Sequence, residues 1–436
     1  MITPSQKSLF ERFLHSQSSS SIVLLIATVT AVVWANSPWS DMYHNLSHLD
    51  IGTHFAGKQY HLTLDHWVKD GLMAIFFFVV GLEIKREILV GELSSVKKAA
   101  LPVMAAIGGG VVPALLYFSL NPSGPASNGW AIPMATDIAF ALGLLALFGK
   151  RVPIGLKVFL TALAIVDDLL AVLVIALFYT DQISITALVT GVLLLALMSY
   201  LIRSGIRGTW MYLALMIAIW VCIFLSGIHA TIAGVLIALT IPVKSSIEPQ
   251  KFFDVICKHM AILKKSNITR ESMIENKGQR QAIEQIYLTA EEMLPAGVYL
   301  EDKLHSIQAF LILPLFALFA AGVTINKEVL AAFPSAISIG IFVGLVLGKQ
   351  IGICLFSYLT IKTGWAELPT RVTWGQVWGT SCLGGIGFTM SIFISELAFT
   401  DNAMIYDAKI AIFIASISAA VLGYIILNKT LPKSNE

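Results

Sequence analysis

The chain has 436 residues, of which 56% are hydrophobic and 13% are charged, and its mean hydropathy is +0.79. Soluble domains carry about 25% charged residues, so the composition predicts a membrane protein. A formal net charge of +2, without a basic tract interleaved with aromatic residues, argues against a nucleic-acid partner. Four scattered cysteines without a CxxC pair predict neither a metal site nor disulfide chemistry.

Twelve apolar segments are long enough to cross a bilayer, which takes about 17 to 25 helical residues. They lie near residues 15–36, 70–90, 99–120, 127–149, 154–178, 184–202, 209–225, 228–243, 304–324, 336–360, 375–399 and 405–428. The seventh and eighth are short and closely spaced, so eleven spans is the alternative. The predicted fold class is an all-α polytopic membrane protein with one membrane domain over residues 1–436. Polar residues precede the first segment, so no cleaved signal peptide is expected.

Basic residues alternate from loop to loop, and lysine and arginine favour the cytoplasmic side of short loops. The basic loops hold Lys7, Arg12, Lys85, Arg86, Lys97, Lys98, Lys150, Arg151, Lys157, Arg203, Arg207, Lys362, Arg371, Lys429 and Lys433, together with the segment 244–303. The alternate loops hold Lys58 and Lys327, and Lys69 lies where a helix begins. Both termini are therefore predicted to be cytoplasmic.

Two loops have structure of their own. Residues 49–64 alternate apolar and polar positions around Ala56 and Gly57, which predicts a small β-hairpin on the outer face. The segment 244–303 is polar with mixed charge, which predicts a cytoplasmic loop with some helix and no core of its own.

Asp167 and Asp168 stand side by side inside the fifth apolar segment. A charge at membrane depth costs about 2.5 to 3.5 kcal/mol on insertion scales, so an ionisable residue there indicates a functional site. Ala164 and Ala171 share the helix face of the pair and allow another helix to approach closely. We therefore expect the carboxylates to face the protein interior and to titrate as coupled sites. The alternative is a purely structural pair bound to a neighbouring lysine.

The fourth and eleventh segments are both interrupted. Pro133 precedes Thr136 and Asp137 in the fourth, and non-helical backbone at membrane depth is tolerated only where it is buried in protein or lines a cavity. The glycines of the eleventh segment are Gly384, Gly385 and Gly387. Glycine is common in ordinary packed membrane helices, but together with Asp137 these glycines predict two broken helices around one site.

Lys349 lies deep within the tenth segment. A buried lysine needs an acidic partner to remain charged, and we predict an ion pair with Asp167. The alternative is a lysine that extends to the membrane interface from a longer helix.

Seven stretches together resemble the NhaA sodium/proton antiporters of bacterial inner membranes. They are FFFVVGLEIKREILVGEL (76–93), GWAIPMATDIAFALG (129–143), LKVFLTALAIVDDLLAVLVIALFYT (156–180), SGIHATIAGV (226–235), LILPLFALFAAGV (311–323), GKQIGI (348–353) and GIGFTMSIFI (385–394). The set is highly specific and runs from residue 76, in the second span, to residue 394, in the eleventh.

The resemblance implies a bundle of interface helices beside a core of two inverted repeats, spans 3–5 and 10–12. Spans 4 and 11 would be broken and would cross near the midplane, where paired interruptions point to a binding site, a relation for which NhaA proteins are themselves among the examples. The resemblance also implies a homodimer that forms through the periplasmic hairpin in the lipid bilayer of the inner membrane.

Carried over to this sequence, the resemblance makes Asp168 the principal ligand of transported Na⁺ or Li⁺, with Asp167 its partner in cation and proton binding. Thr136 and Asp137 would lie at the crossing, where Asp137 offsets the dipoles of the broken helices. Lys349 would do the opposite while it pairs with Asp167.

The resemblance also implies a pH-sensing cluster near the cytoplasmic face. Its members are Glu83, Arg86, Glu87, Glu301 and His305, and His229 matches a further histidine that affects the pH response. Asp302 stands where the family has a histidine, which puts the pH set-point in question, and the loop 244–303 is longer than expected for the family.

The expected function is a pH-regulated, electrogenic Na⁺(Li⁺)/H⁺ antiporter that exports sodium and is driven by the proton gradient. No cofactor is expected, and no GxxxxGK[ST] phosphate loop is present to bind a nucleotide. The alternative is a sodium-coupled symporter of an organic anion on a similar fold. An intramembrane aspartyl protease is disfavoured, because its aspartates come from facing helices and no GxGD motif is present; an enzyme is not expected.

Overall fold

The computed structural model describes residues 17–55, 58–180, 183–206, 208–245, 247–265, 275–324 and 333–432, most of them helical. The α-helices are α1 (Gln17–Ala35), α2 (Ser40–Ser47), α3 (Met73–Leu89), α4 (Val96–Leu120), α5 (Ile138–Ala146), α6 (Ile154–Phe178), α7 (Ile185–Arg203), α8 (Thr209–Leu225), α9 (Ala230–Thr240), α10 (Pro249–Lys264), α11 (Lys277–Met293), α12 (Ala296–Ile307), α13 (Leu313–Ala320), α14 (Ala336–Val343), α15 (Lys349–Lys362), α16 (Trp374–Gly384), α17 (Phe388–Ala398) and α18 (Asn402–Thr430). The strands are β1 (Asp50–Phe55) and β2 (Lys58–Thr63). A helical turn, Leu64–His66, and a wider π-helical turn, Trp67–Leu72, precede α3; π-helical turns also precede α13 (Gln308–Ile312) and α15 (Gly344–Gly348).

Among the described residues, seven helices are long and apolar enough to cross a membrane, or up to nine if each of two bent pairs is one span. The apolar helices α8 and α9 are shorter. Each of the twelve apolar segments found in the sequence overlaps at least one helix. The chain is thus a multi-pass helical membrane protein, and twelve crossings remains a prediction.

Two elements differ from the sequence-based expectation. The sequence did not predict α2, which turns by 113° from α1 after a short break. The ninth apolar segment begins at Ala296 instead of near residue 304, because α12 continues through the π-helical turn into α13. The polar residues of α12, among them Glu301 and His305, lower its hydropathy. The predicted start of the segment is therefore too late in the sequence.

The two loops have the following structure. β1 and β2 pair antiparallel in a register that places Asp50 opposite Thr63 and Phe55 opposite Lys58; the predicted turn residues Ala56 and Gly57 lie outside the described residues. In the segment 244–303, α10 packs against α11, and α12 leads back towards the membrane helices.

Glycines allow the central helices to approach at backbone distance. A Cβ atom added to Gly352 of α15 would meet the carbonyl oxygen of Gly108 in α4, and one added to Gly234 of α9 would meet the carbonyl oxygen of Ala74 in α3. Within lipid there is no hydrophobic driving force between helices, so association depends on close van der Waals packing, which small residues at such crossings allow. Where α4 and α15 cross, the aliphatic part of the Lys349 side chain packs beside Gly109 in the interior.

Both predicted interruptions are present. A 3₁₀ helix, Pro125–Met134, ends in extended backbone at Ala135 and Asp137, after which α5 begins. In the second, α16 ends at Gly384 and α17 begins at Phe388, with a bend of 45° between them.

Candidate ion-binding site

The two interrupted segments contact each other at their breaks. The backbone N–H of Asp137 donates to the carbonyl oxygen of Ile386 at 2.7 Å. The hydroxyl oxygen of Thr136 lies 2.7 Å from the carbonyl oxygen of Gly384. Backbone groups that leave the helical ladder must find partners inside a membrane protein, and here each break provides partners for the other.

Asp137 caps two half-helices at once. Its carboxylate accepts hydrogen bonds from the backbone N–H of Phe140 at 3.2 Å in α5, and from the backbone N–H of Thr389 at 3.1 Å and the Thr389 hydroxyl in α17. Both contacts are made at helix N-termini, where the macrodipole favours negative charge. The geometry therefore suits the dipole-offsetting role that the resemblance implies for this residue.

The break in the eleventh segment has little room for side chains. A Cβ atom added to Gly385 would meet the carbonyl oxygen of Leu345, and one added to Gly387 would meet the hydroxyl of Ser391. Gly384 is buried, and its carbonyl oxygen lies beside Thr136. Larger residues at these positions would push the break away from its neighbours.

Asp167 is bound on one carboxylate oxygen by two side chains. Lys349 forms an ion pair with its Oδ2, and the hydroxyl of Thr136 lies 2.6 Å from the same atom. The predicted pair between Lys349 and Asp167 is confirmed. Lys349 is fully buried, so the alternative of a lysine that extends to the interface is wrong.

Asp168 has a different environment. Its side chain is 1% exposed, yet within the described part of the chain neither of its carboxylate oxygens accepts a hydrogen bond. Among the described residues, the charged groups that act on it most strongly include Asp167, Glu83, Asp137 and Lys349. A buried charge without a partner is costly, and carboxylate oxygens are the ligands that hard cations prefer. Asp168 can therefore bind a small cation or a proton.

Most of the predicted pH-sensing residues lie together at one end of α3. Arg86 makes a 2.7 Å contact with Glu87 through Nη1, and its Nε lies 3.0 Å from Glu301 of α12. Glu83 lies one helical turn before Glu87, within electrostatic range of Arg86 and Glu301. His305 follows Glu301 by one turn and is exposed.

His229 lies far from this cluster. It precedes α9, and its Nε2 is 2.8 Å from the carbonyl oxygen of Tyr179. Helices α3 and α9 run in the same direction, since Gly234 packs beside Ala74 and Gly81 beside Ala238. His229 therefore lies at the opposite end of this helix pair from Arg86.

A second group of charges, partly buried, surrounds Glu396, which the sequence marks as an ionisable residue within the eleventh apolar segment. Glu396 of α17 contacts Lys409 of α18 and Lys69, and Lys69 also contacts Asp65. The sequence did not predict these partners, although Lys409 is also an ionisable residue within an apolar segment.

Paired broken helices that meet beside buried carboxylates define an ion-transporting membrane protein. The sequence profile of the family described as Na⁺/H⁺ antiporter 1 matches residues 11–427. The Na⁺/H⁺ antiporter NhaA of Oleidesulfovibrio alaskensis is 46% identical over 97% of this chain and 94% of its own length. The proteins of the same name from Sulfurimonas denitrificans and Acidithiobacillus ferrooxidans are 43% and 44% identical, each over 98% of this chain and over 96% and 98% of their own lengths. The chain belongs to the Na⁺/H⁺ antiporter 1 family, whose members are transporters and not enzymes.

Proposed function

We propose that Na⁺ and H⁺ compete for Asp167 and Asp168 and that the chain exchanges the two ions across the membrane at this site. Family membership supports Na⁺/H⁺ antiport as the activity. One observation carries the assignment of the site: Asp168 is buried, and within the described residues both of its carboxylate oxygens lack a hydrogen-bond donor.

The two aspartates take different roles because their partners differ. Asp168 is the principal ligand of Na⁺ or Li⁺. Asp167 is held by Lys349 and Thr136, and it joins the binding of the cation and the proton when Lys349 moves away. Asp137 holds the two half-helices in place and offsets their dipoles.

Exchange follows from competition. A carboxylate binds Na⁺ only after it has lost its proton, so a cation enters from one side on deprotonation and is displaced by protons on the other. If both aspartates, or one aspartate and Lys349, release protons for each Na⁺ bound, two protons move against one Na⁺ and the exchange is electrogenic. The inward proton gradient then drives Na⁺ export, Li⁺ substitutes for Na⁺, and no resident cofactor takes part.

In the proposed arrangement, the protein is a single domain with twelve spans in the bacterial inner membrane, and both termini lie in the cytoplasm. The helices that overlap all twelve apolar segments and the alternation of basic loops support this arrangement. Spans 3–5 (α4, α5 with its 3₁₀ segment, α6) and spans 10–12 (α14 with α15, α16 with α17, α18) form the inverted repeats. The β1–β2 hairpin is the periplasmic contact of a homodimer, and the segment 244–303 is a cytoplasmic loop.

Glu83, Arg86, Glu87 and Glu301 are here called the Arg86 cluster. This cluster is proposed to sense cytoplasmic pH. One guanidinium contacts two carboxylates and lies close to Glu83, so protonation of any carboxylate changes the balance of charge between α3 and α12. His305, one turn from Glu301, and His229, at the other end of the α3–α9 pair, contribute to the response.

Replacing Arg86 with Met is expected to move the pH profile of antiport to higher pH by about one unit. Removal of a positive charge within about 4 to 6 Å makes carboxylates bind protons more tightly, so activation by deprotonation requires higher pH. The profile is measured by Na⁺-induced collapse of a pH gradient. Lys85→Met, one residue away, is the control, because Lys85 contacts the carbonyl oxygens of Leu239 and Ile241 and no carboxylate of the cluster. An unchanged profile in Arg86→Met would remove the cluster from pH sensing.

The proposed function is tested in everted membrane vesicles that hold a respiration-generated pH gradient. Addition of Na⁺ or Li⁺ is expected to collapse the gradient, over a pH range that the Arg86 cluster sets. If the protein is in the membrane and neither cation has an effect at any pH, antiport is excluded, and Na⁺-dependent uptake of organic anions becomes the activity to measure.

A further inference from the structure

Four charged side chains form a chain of ion pairs near the proposed site, buried at the Glu396–Lys409 end and partly exposed at the Lys69–Asp65 end. Glu396 of α17 lies 2.8 Å from Lys409 of α18 and 3.0 Å from Lys69, and Lys69 lies 2.7 Å from Asp65. The Glu396 and Lys409 side chains are 8% and 6% exposed. Burying ion pairs is often neutral or costly compared with apolar side chains, so stability alone is a weak reason for this arrangement.

Helix α17 connects these charges to the ion-binding site. At its start, Thr389 donates to Asp137, and the backbone N–H of Phe388 donates to the hydroxyl oxygen of Ser416 in α18 at 3.2 Å. Glu396 lies in its last turn, about 10 to 12 Å further along at a rise of 1.5 Å per residue. Hydrogen bonds therefore hold one end of this half-helix, and charges hold the other.

The pair between Lys69 and Glu396 joins α17 to a different part of the fold. Lys69 lies in the π-helical turn Trp67–Leu72 that leads into α3, and α3 carries Glu83 and Arg86 at its other end. By contrast, the contacts of α17 with Lys409 and Ser416 both go to α18. A displacement of α17 relative to α3 must therefore stretch or break the pair of Lys69 and Glu396.

We propose that Glu396 is a positioning residue for ion exchange: its bridge to Lys69 holds α17, and through Thr389 the carboxylate of Asp137, in the geometry that binds Na⁺. The inference rests on the proposed function of Asp167 and Asp168. Glu396 itself touches neither aspartate of that pair; it acts through the half-helix.

Two variants distinguish the effect of breaking the Lys69–Glu396 bridge from the effect of changing the net charge of the group. Glu396→Met combined with Lys409→Met removes one charge of each sign and the bridge, and it leaves Lys69 paired with Asp65. Lys409→Met alone unbalances the charges but keeps the bridge. The double variant is expected to raise the KM for Na⁺ roughly 10-fold, the lower end of the loss seen when groups that orient a metal ligand are removed. Its maximal rate and its melting temperature in detergent are expected to change little, and Lys409→Met is expected to keep the wild-type KM.

The bridge is also broken from its other end by Lys69→Met, which leaves Glu396 paired with Lys409 and should raise the KM similarly. Lys69→Arg keeps a cation at this position and should restore the wild-type KM. A wild-type KM in both bridge-breaking variants would overturn the inference, and so would an equal rise in Lys409→Met, which would assign the effect to charge balance. A wild-type protein without antiport would instead overturn the proposed function.

Discussion

Replacing Asp168 with Asn is expected to abolish Na⁺- and Li⁺-dependent proton movement, leaving only the signal of vesicles that lack the protein. Asparagine keeps the shape of the side chain but removes the negative charge that binds either ion. It also places an amide where the described residues provide no hydrogen-bond donor to the wild-type carboxylate. The measurement is the dequenching of a pH-sensitive dye in everted vesicles on addition of each cation.

The matched control for this variant is Asp254→Asn, which removes one carboxylate from an exposed position of α10. The control is expected to retain wild-type exchange. Residual exchange in Asp168→Asn at a rate close to that of the control would show that Asp168 is not the principal ligand.

Replacing Lys349 with Met is expected to lower the free energy of unfolding by about 3 to 5 kcal/mol, the cost of leaving one partner of a buried ion pair unpaired. Asp167 would keep its contact with Thr136 but lose its only ion-pair partner among the described residues. The effect is measured as a fall in melting temperature of the purified protein in detergent. Antiport should also become less electrogenic if Lys349 is one of the two groups that release protons, and it should stay electrogenic if both aspartates release them.

Two controls distinguish this cause from a packing defect. Lys349→Arg retains the charge at some steric cost, and Lys349→Met combined with Asp167→Asn removes both charges. The double variant should regain most of the lost stability, since it leaves no unpaired buried charge. A double variant no more stable than Lys349→Met would mean that the lysine stem, and not its charge, stabilises the fold.

The sequence predicted the main features of the site because their physical causes are local. Pro133 removes a backbone hydrogen-bond donor, and Gly385 and Gly387 lower the cost of non-helical backbone, so each favours an interruption at its own position. Both interruptions are present. The pairing of Lys349 with Asp167 was predictable because a buried cation requires a buried acid, and few acids lie in the apolar segments.

Features that depend on how distant helices pack were not predictable. Lys69 and Glu396 are far apart in sequence and meet only because α17 packs near the start of α3. The separation of His229 from Arg86 follows from the common direction of α3 and α9, which no local pattern encodes. The helix α2 was missed because it is short and polar, without the apolar run that marked the other helices near it.

Proton release from the purified protein in weakly buffered detergent solution tests most directly whether Na⁺ and H⁺ compete at Asp168. Na⁺ is added at a series of pH values, and a pH-sensitive dye reports the protons set free. We expect release on addition of Na⁺ or Li⁺ from the wild-type protein and none from Asp168→Asn. Binding of Na⁺ by the wild type without proton release, or undiminished release from Asp168→Asn, would contradict competition at Asp168.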